Sequence, residues 1–173
     1  MHPETLKTER LLLRPLSDTD AEAIFMLRSD DIVNRFLDRP KAKSHKDAIE
    51  FISKILNTTD GSHYWALALA DSNQLIGTIC LWNLSDDKSS VEIGFEQMSA
   101  YQGKGFMTEA LSAVIKYAFE NLGFKTICGY TVRKNIASIN LLMRSRFKQL
   151  PNGSKDDCPV DMIVLELAKP AAL

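Results

Sequence analysis

The chain lacks most of the features that would place it outside the ordinary globular class. Its three cysteines among 173 residues, Cys80, Cys128 and Cys158, are too few and too scattered for a disulfide framework or a zinc site. Cys80 and Cys128 fall in apolar runs and read as buried thiols. Cys158 lies in a loop before Pro159 with nothing nearby to activate it. No metal site is expected. No apolar run approaches the roughly 20 residues of a membrane helix. The opening Met1-His-Pro-Glu-Thr5 is polar and has no signal-peptide core, so the expected compartment is the cytoplasm. Charge of one sign is missing too. A formal net charge of −1 gives no global attraction to nucleic acid or to an anionic membrane. The 8 glycines and 6 prolines gather in no linker, and there is no internal repeat. Residues 1–173 therefore read as one domain, long enough to bury a single core.

What is present is a regular alternation of patterns. Leu11 to Pro15 reads as a strand, and Ser17 or Asp18 caps a helix running through about Arg28. A shorter helix is expected over Asp30 to Leu37, closed by Arg39-Pro40. Ser44 caps a third helix, whose Ala48, Phe51, Ile52, Ile55 and Leu56 keep helical spacing. Strands follow at Tyr64 to Ala70, Gln74 to Trp82 and Ser89 to Gln97, joined by turns at Asp71 to Asn73 and Asn83 to Lys88. The third strand alternates strictly: Val91, Ile93 and Phe95 face one way, Glu92, Gly94 and Glu96 the other. A helix over Phe106 to Leu122 stops at Gly123. A strand at Thr126 to Val132, a helix from Ile136 to about Ser145, and strands at Phe147 to Leu150 and Val160 to Leu167 close the chain. The helix between the strands ending at Gln97 and Val132 has the length of a parallel crossover. The expected fold is α/β (α+β): a mixed, mainly antiparallel sheet with one parallel strand pair and helices on both faces.

The chemistry centres on Gln102-Gly-Lys-Gly105, a glycine turn opening the long helix. Such a turn leaves backbone N–H groups unpaired beside the positive end of the helix dipole, a site suited to phosphate. Gly103 and Gly105 allow close backbone approach, and Lys104 adds a mobile positive charge. The turn is no P-loop, because no Gly-Lys-Ser/Thr follows at the required spacing. Nor is it a dinucleotide fingerprint, since the full glycine pattern is missing.

Four stretches taken in order resemble the GNAT superfamily of acyl-CoA-dependent N-acetyltransferases, and within it the ribosomal-protein alanine N-acetyltransferase-like branch. Thr8 to Asp20 is similar to an opening TERLxLRPLxxxD. Val91 to Phe95 is similar to an AEIGY strand. Gln102 to Gly105 matches the first four positions of the Q/R-x-x-G-x-G/A motif. Asn135 to Ser138, with Leu141 and Phe147, resembles NxxS…LLxxxGF.

The resemblance implies acetyl-CoA as cosubstrate and an amine as acceptor, either a peptide N-terminus or a small amine such as a polyamine, amino acid or aminoglycoside. It implies that Gln102, Gly103, Lys104, Gly105, Phe106 and Met107 hold the pyrophosphate. The pantetheine arm would pair along Phe95, Gln97 and Met98, where the parallel pair is splayed. Asn135 would approach the same cosubstrate, with Arg133 and Lys134 available to phosphate charge. Glu92 matches the family's strand-borne general base. It shares a face with Glu96, which could also serve as base or hold the cationic acceptor. With two strand residues roughly 7 Å apart, a neighbouring carboxylate is expected to push the pKa of Glu92 upward.

Many members place a thiolate-protonating tyrosine at the position of Leu142, which cannot donate. Ser138 is the remaining hydroxyl, either as donor or as a backbone or phosphate ligand. Met107 stands where a small residue is usual, and Arg146 replaces a glycine, at a strain cost if positive φ is needed there. Asp30 to Arg39 and Asn83 to Lys88 are expected on the acceptor side. With no acyl-carrying nucleophile evident, direct attack in a ternary complex is the expected route. The competing reading is a non-catalytic acyl-CoA-binding module on the same fold. Expected partners are the cosubstrate and acceptor alone, with no nucleic acid or membrane, in a monomer or homodimer.

Overall fold

The computed structural model describes residues 3–151 and 161–170; Cys158 and the Val160 start of the last strand lie outside them. Strands β1 (Leu6–Lys7) and β2 (Leu11–Pro15) lead through a 3-10 turn at Asp18–Asp20 into helices α1 (Ala21–Ser29), α2 (Asp31–Asn34) and α3 (His45–Leu56). Then come β3 (His63–Leu69), β4 (Leu75–Trp82) and β5 (Ser90–Gln97), a 3-10 turn at Ser99–Tyr101, and α4 (Phe106–Glu120). The chain continues through β6 (Thr126–Val132), α5 (Ile136–Arg144), β7 (Lys148–Gln149) and β8 (Met162–Ala168).

The strands form one sheet in the order β1-β2-β3-β4-β5-β6-β8-β7. Every neighbouring pair is antiparallel except β5–β6, joined by the α4 crossover. That parallel pair is short. Its register covers Ser90↔Thr126, Val91↔Ile127 and Glu92↔Cys128, although both strands run on. At the fork, Leu142 of α5 lies over Gly129, where a Cβ would fall 2.9 Å from Leu142 Cδ1 and 3.8 Å from Ile93 Cγ2.

Alternation puts two cores on the two faces of the sheet. Under α4 and α5, the larger core gathers Leu13, Trp65, Ile79, Val91, Leu111 and Leu142. Beneath α1 and α3, the second holds Leu16, Ile24, Leu27, Ala48, Ile52 and Ala66. The helix starts follow the expected capping chemistry. Ser44 and Asp47 form a capping box on α3, and Asn135 Oδ1 accepts from the Ser138 N–H on α5. These bonds satisfy first-turn N–H groups that the helix itself cannot.

Some elements differ from expectation. Helix α2 ends at Asn34 instead of reaching Leu37. Asn34 Nδ2 turns back to the carbonyls of Asp30 and Leu27 while its Oδ1 accepts from Arg39, so the segment is held by side chains after one turn. The two-residue β1 carries no period of its own and exists through its pairing with β2. Trp82, at the end of β4, is 49% exposed. Arg146 does adopt positive φ, at 70°.

Candidate active site

Where β5 and β6 part, a cleft of ≈ 930 Å³ opens, within the range of small-molecule sites. Its floor is the far half of the two strands, Ile93 to Gln97 and Gly129 to Val132. One end is the glycine turn with the starts of α4 and α5; the other is the segment from Ile32 to Asp38. Beyond Glu92 the two strands do not pair with each other, so each presents an open edge that an extended ligand could join.

The glycine turn has the conformation that anion binding needs. Gly103 and Gly105 have φ of 74° and 83°, values that cost a side-chain-bearing residue roughly 1–2 kcal/mol. A Cβ at Gly103 would meet nothing within 4 Å, so its surface is open to a ligand. Gly105 is the N-cap of α4 and provides no side-chain cap. The first-turn N–H groups therefore face outward with the helix dipole behind them. Gln102 folds its side chain back, Nε2 donating to the Gln97 carbonyl at 2.9 Å.

A second observation points to a ligand. Gln97 is 8% exposed and lines the cleft, yet its Nε2 has no hydrogen-bond partner. A buried amide donor is normally satisfied, and leaving it bare costs about 1–3 kcal/mol. The uncapped turn, the open strand edges and this amide fit an extended, amide-bearing chain ending in phosphates, which is the chemistry of acyl-CoA.

The expected site residues divide by position. Phe95, Gln97, Gln102, Gly103, Gly105, Met107, Asn135 and Ser138 all line the cleft. Lys104 does not; its ammonium lies 5.4 Å from the Tyr101 ring centroid. Phe106 packs toward Tyr101, with ring centroids 6.4 Å apart. The Met98 side chain packs against the second core, and its N–H is committed to the Ile76 carbonyl. Ser138 donates its backbone N–H to the cap, which leaves its hydroxyl outside that bond.

Glu92 is not among the lining residues; its Oε1 accepts from Asn83 Nδ2 at 2.6 Å. The expected coupling to Glu96 is corrected by the spacing. Four residues along a strand span roughly 13 Å, and each carboxylate has partners of its own. Glu96 is the carboxylate on the cleft floor. It is 8% exposed and paired with Arg39, with Arg28 Nη1 at 4.0 Å and Thr78 Oγ1 donating at 3.1 Å. Burial and the neighbouring Arg39 lower the Arg28 pKa, against the pull of Glu96. The cation nevertheless sits 3.9 Å from the Phe51 ring centroid. The sequence placed Arg39 on the expected acceptor side but gave no sign of Arg28 or of either pairing with Glu96, because nothing local marks them; only the fold brings both to Glu96.

Neither described cysteine lines the cleft. Burial, with Glu96 nearby, pushes the Cys80 thiol up to about 12, so it stays protonated. Leu142, where the resemblance would place a tyrosine, is 1% exposed and belongs to the core.

Comparison with known proteins identifies the family to which this fold belongs. The model of the acetyltransferase (GNAT) domain matches residues 10–148. The uncharacterized N-acetyltransferase YoaA of Bacillus subtilis is 33% identical over 95% of this chain and 97% of its own. Acetyltransferase PseH of Campylobacter jejuni is 28% identical over 76% of this chain and 79% of its own. A GNAT-family acetyltransferase structure from Bacillus anthracis superposes with a TM-score of 0.82 at 22% identity, covering 95% of this chain and 98% of that one. With the splayed pair, the uncapped α4 and the domain match in agreement, the chain belongs to the GNAT acetyltransferase family.

Proposed function

We propose that the protein is an acetyl-CoA-dependent N-acetyltransferase that acetylates a primary amine by direct attack in a ternary complex. The observation that carries this reading is the cleft between the parted strands. It ends at an uncapped helix start and contains one buried, unpartnered amide. The thioester supplies an activated acyl carbon; the residues of the chain supply binding, orientation and proton handling. The N–H groups of the Gln102 to Met107 turn hold the pyrophosphate. The open edge of β5 and Gln97 Nε2 take the amide groups of the pantetheine arm.

Attack forms the N–C bond and breaks the C–S bond. The amine must lose a proton and the departing sulfur must gain one. Glu96, the carboxylate on the cleft floor, receives the amine proton directly or through water, with Arg39 and Thr78 fixing its orientation. The Ser138 hydroxyl is the donor on the cosubstrate side. The acceptor enters past the apolar wall of Ile32, Val33, Phe36 and Leu37. That wall, together with the branch resemblance, favours a peptide α-amine over a polyamine or aminoglycoside.

The test is a CoA-release assay with peptides of varied first residue beside polyamines and aminoglycosides. Calorimetric titration of acetyl-CoA and of ATP accompanies it. Saturable CoA release and acetyl-CoA binding are expected; tight ATP binding without acetyl-CoA binding overturns the reading. One observation favours a second reading, a non-catalytic acyl-CoA-binding module: the aliphatic, buried Leu142 where a proton donor is common. Binding without turnover of any acceptor identifies that case.

A further inference from the structure

The N-terminal hairpin is fastened to the glycine turn through Thr8, Arg10 and Glu109. The Thr8 hydroxyl and the Arg10 backbone N–H both donate to Glu109 Oε1, and Arg10 Nε donates to Oε2 at 2.7 Å. Arg10 Nη1 donates to the Lys104 carbonyl at 3.0 Å. The guanidinium lies 4.6 Å from the Phe106 ring centroid. Its Nη2 ends beside Gly105, where a Cβ would come within 3.3 Å of it. One side chain from the start of the fold thus touches the turn before α4 and the first turn of α4 itself.

The electrostatics give these contacts a purpose. Glu109 is in the first turn of α4, where the helix dipole favours any anion. A bare carboxylate there would compete with a phosphate for the same N–H groups and would repel it. Burial pushes the Glu109 carboxyl up, but the bonds from Thr8 and Arg10 outweigh this and hold it below its usual range. Glu109 is therefore ionised near neutral pH, and Arg10 is the cation paired with it.

We propose that Arg10 is a positioning residue for the phosphate turn, bracing the Lys104 carbonyl and cancelling the charge of Glu109, so that the N–H groups of residues 103–107 face one anion. The proposal rests on the reading of that turn as the pyrophosphate cradle. It makes the hairpin part of the cosubstrate site without contacting the reacting atoms. Its effect must be confined to donors that carry phosphate.

The experiment compares wild type with Arg10→Ala, Arg10→Lys, Glu109→Gln and the Arg10→Ala/Glu109→Gln pair. Each is assayed with acetyl-CoA and with acetyl-pantetheine, a thioester without the pyrophosphate, and melting temperatures are recorded. For Arg10→Ala the KM for acetyl-CoA is expected to rise about ten-fold, as for one charge-assisted contact. Its kcat, and its kinetics with acetyl-pantetheine, should stay within about two-fold of wild type. The paired variant should recover part of the KM, because the unpaired carboxylate is gone. Arg10→Lys keeps the charge but loses the fork, and should fall between.

An unchanged acetyl-CoA KM in folded Arg10→Ala overturns the proposal, as does an equal loss with both donors. If Arg10→Ala does not fold, an unchanged KM in Arg10→Lys overturns it instead. Wild type that fails to bind acetyl-CoA removes this proposal and the functional reading together. Normal acetyl-CoA binding by wild type and by Arg10→Ala removes this proposal alone.

Discussion

Arg146 shows how a single residue can sit against its own preference. It occupies the position after the α5 C-cap, Ser145, with φ of 70°. Its N–H reaches the Met143 carbonyl, and the Phe147 N–H reaches that of Leu142. This is the paired-bond helix ending that usually takes glycine. The turn is held because Phe147 is 3% exposed and anchored in the core. Relief of left-handed strain outweighs the extra unfolded-state entropy of glycine, so Arg146→Gly should stabilise the fold by about 1 kcal/mol, read as a raised melting temperature. At Ser138 the expected change is in chemistry, not in folding. Replacing it with alanine leaves the backbone cap to Asn135 intact. On the proposed role, kcat should fall about ten-fold or more, with the acetyl-CoA KM little moved. An unchanged kcat would assign the proton to water.

Helix α2 is a four-residue element maintained by its surroundings, since so short a segment has no helical stability of its own. Asp30 caps it through the N–H groups of Ile32 and Val33, and Asp30 Oδ2 accepts from Ser99 Oγ at 3.0 Å. Asn34 and Arg39 tie its other end to Glu96. Asp30→Ala removes the cap and the tie to Ser99 together. It should cost about 1 kcal/mol and raise the acceptor KM more than the acetyl-CoA KM, measured by varying each substrate at saturating levels of the other. The end of α2 was not legible in the sequence. Its apolar residues keep helical spacing through Leu37, while the bonds that close it come from Leu27 and Arg39, distant from the pattern. By contrast, α3, α4 and β5 were legible to within a residue or two, because each carries its own period and its own start or stop signal.

At the scale of the whole molecule, the cleft exists because a parallel pair is joined over three residues and then parted. The same sheet is fastened near its N-terminal edge by Arg14, whose Nη1 and Nη2 both donate to Asp20 at 2.8 Å. Asp20 is 5% exposed. Burial alone would raise its pKa, but the bonds from Arg14 and Ser17 hold the carboxyl below its usual range. A folded-state pKa below the unfolded value of about 3.9 gives stability that is complete above that pH and is lost as pH falls through the folded value. Asp20→Asn should cost about 2 kcal/mol near pH 7 and flatten the acid limb of denaturant-melting curves below about pH 4. An acid limb identical to wild type would show that Asp20 carries none of it.

The sequence by itself determined the order of strands and helices from β2 onward, the parallel crossover and the glycine turn. Periodicity, capping and glycine chemistry act over a few residues and are written locally. Only the tertiary structure decided which carboxylate faces the cleft, since Glu92 and Glu96 alternate identically along β5. What separates them is the splay of β6 and the arrival of Arg28, Arg39 and Thr78 from other elements. The brace of Arg10 on Glu109 joins residues far apart in the chain, and no local pattern records a contact that only folding closes.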